Sequence, residues 1–226
     1  MRAGLLYAME KEAAPYLRRH QVQKCARAAG MAFYELSEKQ IVCVGGVGKV
    51  NAAMAAQLLI DRFQIDLLIN AGCAGALTQL PAGTLVLGTD CVQHDVDTTL
   101  AGDPPGFVST VERVCFPCAG QKEAQGFFAR QEYPAAAGVI ATGDWFGRDY
   151  ERARAVRDRY GALVCEMEAC AAAQVCLRNE IPFQAFKVVT DHLFAENQNE
   201  EYRQNFEGAL ERLSAVLYDY LKWMEE

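Results

Sequence analysis

Three acidic residues, Glu12, Glu168 and Asp191, each stand beside a short apolar run in the 226-residue sequence. Glu12 follows residues 3–8, Glu168 follows Val164 and Cys165, and Asp191 follows residues 183–189. If those runs are buried strands of a parallel α/β sheet, their carboxyl ends open on one cleft, where such sheets collect ligands. Carboxyl groups gathered there suit acid–base chemistry. One protonates a leaving group while another takes a proton from the nucleophile, each step contributing about 10²–10⁴-fold. Closely set acids also hold different protonation states at one pH. Taken singly, Glu12 reads first as a solvated acid favoured by the dipole of a helix first turn, and Asp191 fits a helix or turn cap equally well. Glu168 precedes the small-residue run Ala169-Cys170-Ala171-Ala172-Ala173, a tightly packed helix in which a carboxylate needs a partner. The combination carries the information.

Other chemistries fit poorly. Gly45-Gly46-Val47-Gly48-Lys49 fails the phosphate-loop pattern because Val50, not Ser or Thr, follows the lysine, and it is no dinucleotide fingerprint either. Gly72-Cys73-Ala74-Gly75 reads as a turn after a buried strand; it either presents amide donors to a sugar or anion or simply leads into a loop. Only His20, His94 and His192 exist, and no Gly-x-Ser-x-Gly elbow surrounds a serine, so a nucleophilic triad has no basis. Cys73 reads as a small buried residue before a thiol nucleophile. Cys115-Phe116-Pro117-Cys118 and His94-Asp95-Val96-Asp97 have ligand types but no second pair to complete a site, so no metal is expected, nor any organic cofactor.

The elements that must position these acids alternate. Strands are expected at 3–8, 33–36, 40–44, 66–70, 84–87, 137–142, 163–164 and 183–189. Helices are expected at 10–19, 51–63, 122–131, 149–159, 169–178 and 200–226. Residues 93–121 form a long polar stretch with weak periodicity, of the kind that is functional or ordered by a partner. No linker or repeat divides the chain, so residues 1–226 read as one three-layer α/β domain. A net charge of −7 without basic clusters argues against nucleic acid. No run approaches the ~20 apolar residues of a membrane span. Nine scattered cysteines read as reduced thiols of a cytoplasmic protein.

Several motifs, in order, resemble the methylthioadenosine/S-adenosylhomocysteine nucleosidases of the nucleoside phosphorylase superfamily. They are Ala8-Met9-Glu10-Lys11-Glu12, Gly46-Val47-Gly48-Lys49-Val50, Asn70-Ala71-Gly72-Cys73-Ala74-Gly75 and Thr142-Gly143-Asp144-Trp145-Phe146. Most specific are Glu166-Met167-Glu168-Ala169 and Thr190-Asp191. The resemblance implies a central mixed twisted sheet flanked by helices, a homodimer, a nucleoside substrate and N-glycosidic hydrolysis. It implies that Asp191 protonates the leaving purine, Glu12 activates water, Glu168 and Met167 hold the ribose hydroxyls, and Phe146 stacks on the base. Met9 and Val47 match positions lining the sugar and alkylthio pocket, and Cys73, Ala74, Gly75, Gly147, Glu166, Lys187 and Thr190 complete the substrate-binding set.

Four residues depart from the family's pattern: Cys73 and Thr190 stand for Ser, Lys187 for an Arg near the attacking water, and Gly147 for a larger apolar residue beside the base. Tyr202 or Phe206 falls where the alkylthio end should close. Readings that share the fold are a nucleosidase for futalosine or 5′-deoxyadenosine, or a phosphate-dependent nucleoside phosphorylase. A non-catalytic nucleoside-binding protein does not require all three acids.

Overall fold

Runs with no exposed face belong in the middle of a sheet, and the first of them, β1 (Ala3–Tyr7), is buried along its whole length. In the computed structural model, which describes residues 1–225, β1 leads into α1 (Glu10–Leu17). The hairpin β2 (Lys24–Ala28) and β3 (Met31–Glu35) then precedes β4 (Gln40–Val44) and α2 (Lys49–Phe63). The long strands β5 (Leu67–Ala76) and β6 (Leu85–Gln93) come next, then the short β7 (Cys115–Pro117), α3 (Gln121–Phe128) and β8 (Ala135–Thr142). The chain closes with α4 (Tyr150–Tyr160), β9 (Ala162–Glu166), α5 (Ala169–Arg178), β10 (Phe183–His192) and α6 (Gln198–Glu225). Glu226, read as the end of the last helix, lies outside the described residues.

The strands form one mixed sheet in the order β10-β6-β8-β9-β5-β1-β4-β3-β2, with β7 added to β6. Helices α2 and α5 cover one face, burying Ala52, Ala55, Leu59, Cys170 and Cys176. On the other face α1, α3 and α6 bury Tyr16, Phe128, Leu213 and Leu217. Each fully buried Leu or Phe contributes about 1.5–3 kcal/mol, so the three layers expected from the alternating pattern are held by both faces.

What places the site is β5. Its first half pairs with β1, its last two residues pair with β9, and β10 runs parallel along its other edge. The pairing of β10 to both β5 and β6 closes the second half of the sheet on itself. A crevice therefore opens beside β5, beyond the end of β1, where its partner changes; this is a topological switch point of the kind that binds ligands.

Two expectations are corrected. Residues 71–76 are not a turn: β5 continues through them, with Gly72 opposite Lys187 and Gly75 opposite Asp191. An all-small sequence reads as a turn, yet here it lets neighbouring side chains approach the strand backbone. Residues 93–121 are also more ordered than their composition suggests. Gln93 belongs to β6, two 3₁₀ turns and β7 follow, and Lys49 Nζ anchors the segment by an ion pair of 2.7 Å to Asp95 Oδ1. Strand β2 went unread because its residues, Lys24-Cys25-Ala26-Arg27-Ala28, lack an apolar run. It is held by pairing to β3 through a tight turn with positive φ at both Ala29 and Gly30.

Candidate active site

Glu12 sits in the first turn of α1, yet it is 4% exposed. Its Oε2 accepts from Met9 N–H at 3.0 Å, closing a capping box, and Oε1 accepts from Cys73 N–H at 3.0 Å and from the Cys73 thiol at 3.1 Å. The approach depends on Gly72, because a Cβ there would lie 2.7 Å from Glu12 Oε1. Burial and the neighbouring Glu12 push the Cys73 thiol well above its ordinary range, so it acts as a neutral donor to Glu12.

Glu168 begins α5, and its Oε1 accepts from Gly48 N–H at 2.8 Å. Gly48 has φ +97°, a backbone shape side chains rarely adopt, and it starts α2. Burial, with Glu166 nearby, pushes the Glu168 carboxyl up to about 8. It is therefore largely protonated at neutral pH, able both to give and to accept a hydrogen bond with a diol.

Asp191 lies within β10, just past a register shift between Val189 and Asp191 that re-aims the strand. Thr190 Oγ1 donates to its Oδ1 at 2.6 Å, and Gln198 Nε2 from the start of α6 donates to Oδ2 at 2.9 Å. Burial raises its pKa, and the Thr190 and Gln198 bonds offset only part of that. A carboxyl group that keeps its proton to higher pH than an ordinary aspartate is suited to act as an acid.

These three acids line one cavity of about 350 Å³. Of the residues singled out from the sequence, Met9, Val47, Cys73, Ala74, Gly75, Phe146, Glu166, Met167 and Thr190 share its wall. Gly147 does not; it lines a smaller pocket adjoining the Asp191 end. Phe146 is 58% exposed and free to meet a planar ligand, with the Tyr202 ring 5.5 Å away. Tyr202, rather than Phe206, reaches the cavity.

Lys187 is also off the wall. Fully buried, its Nζ pairs with Glu166 Oε2 at 2.7 Å. Burial pulls its pKa down, but Glu166 and Glu168 more than offset this and it stays charged. Glu166 in turn accepts from the N–H groups of Glu168 and Ala169 and from the Thr142 hydroxyl, so its carboxylate is occupied by the protein. An anion at these helix-starting amides is stabilised by the helix dipole. Lys187 and Glu166 thus hold the α5 start, and with it Glu168, in place. Lys187→Met leaves Glu166 buried and unpaired, and is expected to cost about 3–5 kcal/mol. Urea unfolding measures it, and adding Glu166→Gln should recover part of the loss; an unchanged midpoint in the single variant contradicts this role.

Sequence reasoning missed Ala8 and Cys165 on the cavity wall, the Gly48 amide on Glu168 and, above all, Gln198 on Asp191. A glutamine at the start of a polar helix carries no signal of its own. Trp145 lines the wall too, and its place between Asp144 and Phe146 in a quoted motif was the available clue. Cys115 is exposed while Cys118 is buried near Cys91, and among the described residues no group of three or more His, Cys, Asp or Glu is placed to hold a metal.

The family model for the phosphorylase superfamily matches residues 2–222. A 5′-methylthioadenosine/S-adenosylhomocysteine nucleosidase of Geobacillus thermodenitrificans is 35% identical, covering 98% of this chain and 96% of the relative. Among solved structures, the 5′-methylthioadenosine/S-adenosylhomocysteine nucleosidase of Colwellia psychrerythraea in complex with adenine superposes with TM-score 0.91 at 29% identity, covering 98% of this chain and 95% of that one. The futalosine hydrolase of Helicobacter pylori shares the fold, with TM-score 0.91 at 24% identity, covering 98% of this chain and 97% of that one. The chain belongs to the phosphorylase superfamily and, within it, to the 5′-methylthioadenosine/S-adenosylhomocysteine nucleosidase family.

Proposed function

We propose that this protein hydrolyses the N-glycosidic bond of adenosine-type nucleosides with a 5′-thio or 5′-deoxy substituent, releasing the purine and the ribose moiety. The observation that carries the reading is the cavity wall. It holds Glu12, Glu166, Glu168 and Asp191, and among the described residues no Lys or Arg lines it. Such a wall disfavours a phosphate dianion and accepts water and an uncharged sugar, which favours hydrolysis over phosphorolysis.

Asp191 gives its proton to the purine imidazole nitrogen as the base–ribose bond breaks, so the bonding electrons leave on a neutral base. Positive charge that develops on the ribose is stabilised by the acidic wall. Water adds to the ribose carbon and gives its proton to Glu12, which the Cys73 and Met9 donors hold in place. Glu168 and Met167 hold the ribose hydroxyls, and Phe146 stacks on the base. Exchange with solvent returns Glu12 and Asp191 to their starting protonation. No metal or organic cofactor enters the scheme.

Methylthioadenosine, S-adenosylhomocysteine, 5′-deoxyadenosine and adenosine, each incubated with the protein, test the reading. Release of adenine from the thio- or deoxynucleosides is the expected result, and no release from any of them overturns it.

The protein is proposed to work as a homodimer. Val47, Val50 and Met54 expose apolar side chains at the start of α2, and Leu100 is fully exposed on the segment that the Lys49–Asp95 pair ties to α2. Val47 also belongs to the cavity, so a partner on this face would complete the site. A dimer in sedimentation at micromolar concentration is expected; a monomer contradicts it. A cytoplasmic location is proposed from nine cysteines that are all unpaired. No helix among the described residues is long and apolar enough to cross a membrane.

A further inference from the structure

On a purine, the imidazole nitrogen that Asp191 would protonate and the substituent at carbon 6 lie on the same edge. Whatever stands beside Asp191 therefore meets that substituent. Here the cavity continues past Asp191 into a pocket of about 30 Å³ lined by Gly75, Phe146, Gly147, Asp191, Leu193 and Gln198. That is room for one water or one small polar group. Gly147 leaves the space open by having no side chain, and Gln198 lines it from the first turn of α6.

A carboxylate at this position suits one kind of base only. Asp191 Oδ2 accepts from a 6-amino group but opposes the lone pairs of a 6-oxo group. Gln198 changes that. One N–H of Nε2 is spent on Asp191 Oδ2 at 2.9 Å, and among the described residues the side chain makes no other hydrogen bond. The amide, 8% exposed, is left with a second N–H for a 6-oxo group and a carbonyl oxygen for a 6-amino group.

Resting on the nucleosidase reading, we infer that Gln198 and its small pocket bind the purine 6-substituent and extend the activity to 6-oxopurine (hypoxanthine-type) nucleosides. The test compares kcat/KM for 5′-methylthioadenosine and 5′-methylthioinosine in the wild type and in Gln198→Leu, with the melting temperature as a check on folding. Because Gln198 also steadies Asp191, both substrates lose rate in the variant, and the ratio isolates the 6-position. The groups facing Asp191 (Thr190 and His192 on β10, Glu201 and Tyr202 on α6) are common to both substrates, so they cancel in the ratio.

Wild-type protein is expected to release both bases, and Gln198→Leu to lose the 6-oxo substrate about 10–100-fold more than the 6-amino one, because the 6-amino group keeps Asp191 Oδ2 as an acceptor whereas the 6-oxo group is left buried with no donor. Release of adenine alone by the wild type, or an unchanged ratio in the variant, overturns the inference and leaves the nucleosidase reading standing. Release of neither base overturns both.

Discussion

Asp191→Asn should lower kcat by about 10²–10⁴-fold, the contribution of a positioned general acid, while binding of adenine analogues persists. An amide of the same shape keeps a partner for Thr190 and Gln198 but has no proton to give at neutral pH. With its oxygen toward Gln198 Nε2, the Asn turns its NH₂ to the Thr190 hydroxyl, which can rotate to accept, so the cavity should keep its form and the loss should fall on kcat rather than KM. Burial raises the Asp191 pKa, so the wild-type rate should hold to higher pH than an ordinary aspartate would allow. It should then decline on the alkaline side as that proton is lost; the variant should lack that limb. Turnover measured across pH, with analogue binding by calorimetry, checks both parts. Unchanged turnover in the variant removes Asp191 from the acid role.

Glu12→Gln should cost a comparable 10²–10⁴-fold in kcat, with a second signature at the α1 start. Glu12 accepts from Met9 N–H, Cys73 N–H and the Cys73 thiol. A glutamine has one acceptor oxygen, so its NH₂ must face one of these donors. Whichever donor is left facing the NH₂, the lost bond should lower stability by about 1–3 kcal/mol. A thermal melt separates the two effects, since so small a destabilisation leaves the protein folded under assay conditions. Full activity in a folded Glu12→Gln protein contradicts its assignment as the base.

Much of this was legible from residue order. The apolar runs marked the strands that end near Glu12, Glu168 and Asp191, and the small residues after Glu168 marked a packed helix. What the sequence hid was longer-range. Nothing in Gly72-Cys73-Ala74-Gly75 distinguishes a turn from a strand whose lack of side chains admits Glu12, because the admitted group lies 61 residues away. Lys187 sits mid-strand among apolar residues, and its partner Glu166 is identified only by the pairing of the folded layers. Gln198 is set against Asp191 by the turn after β10, which has no periodic pattern. Length and polarity in residues 93–121 suggested order imposed by a partner, whereas the ion pair to Lys49, the bond from Asp144 N–H to Asp95 and the pairing of β7 to β6 supply much of it from within the chain.

The central claim is that water, not phosphate, attacks the ribose in a cavity walled by acids. Its most direct test is turnover of 5′-methylthioadenosine in ¹⁸O-labelled water, with and without phosphate, followed by mass analysis of the sugar. One solvent oxygen on the ribose carbon and a rate indifferent to phosphate are the predicted result. A sugar phosphate that forms only when phosphate is present would contradict it and remove Glu12 from the role assigned here.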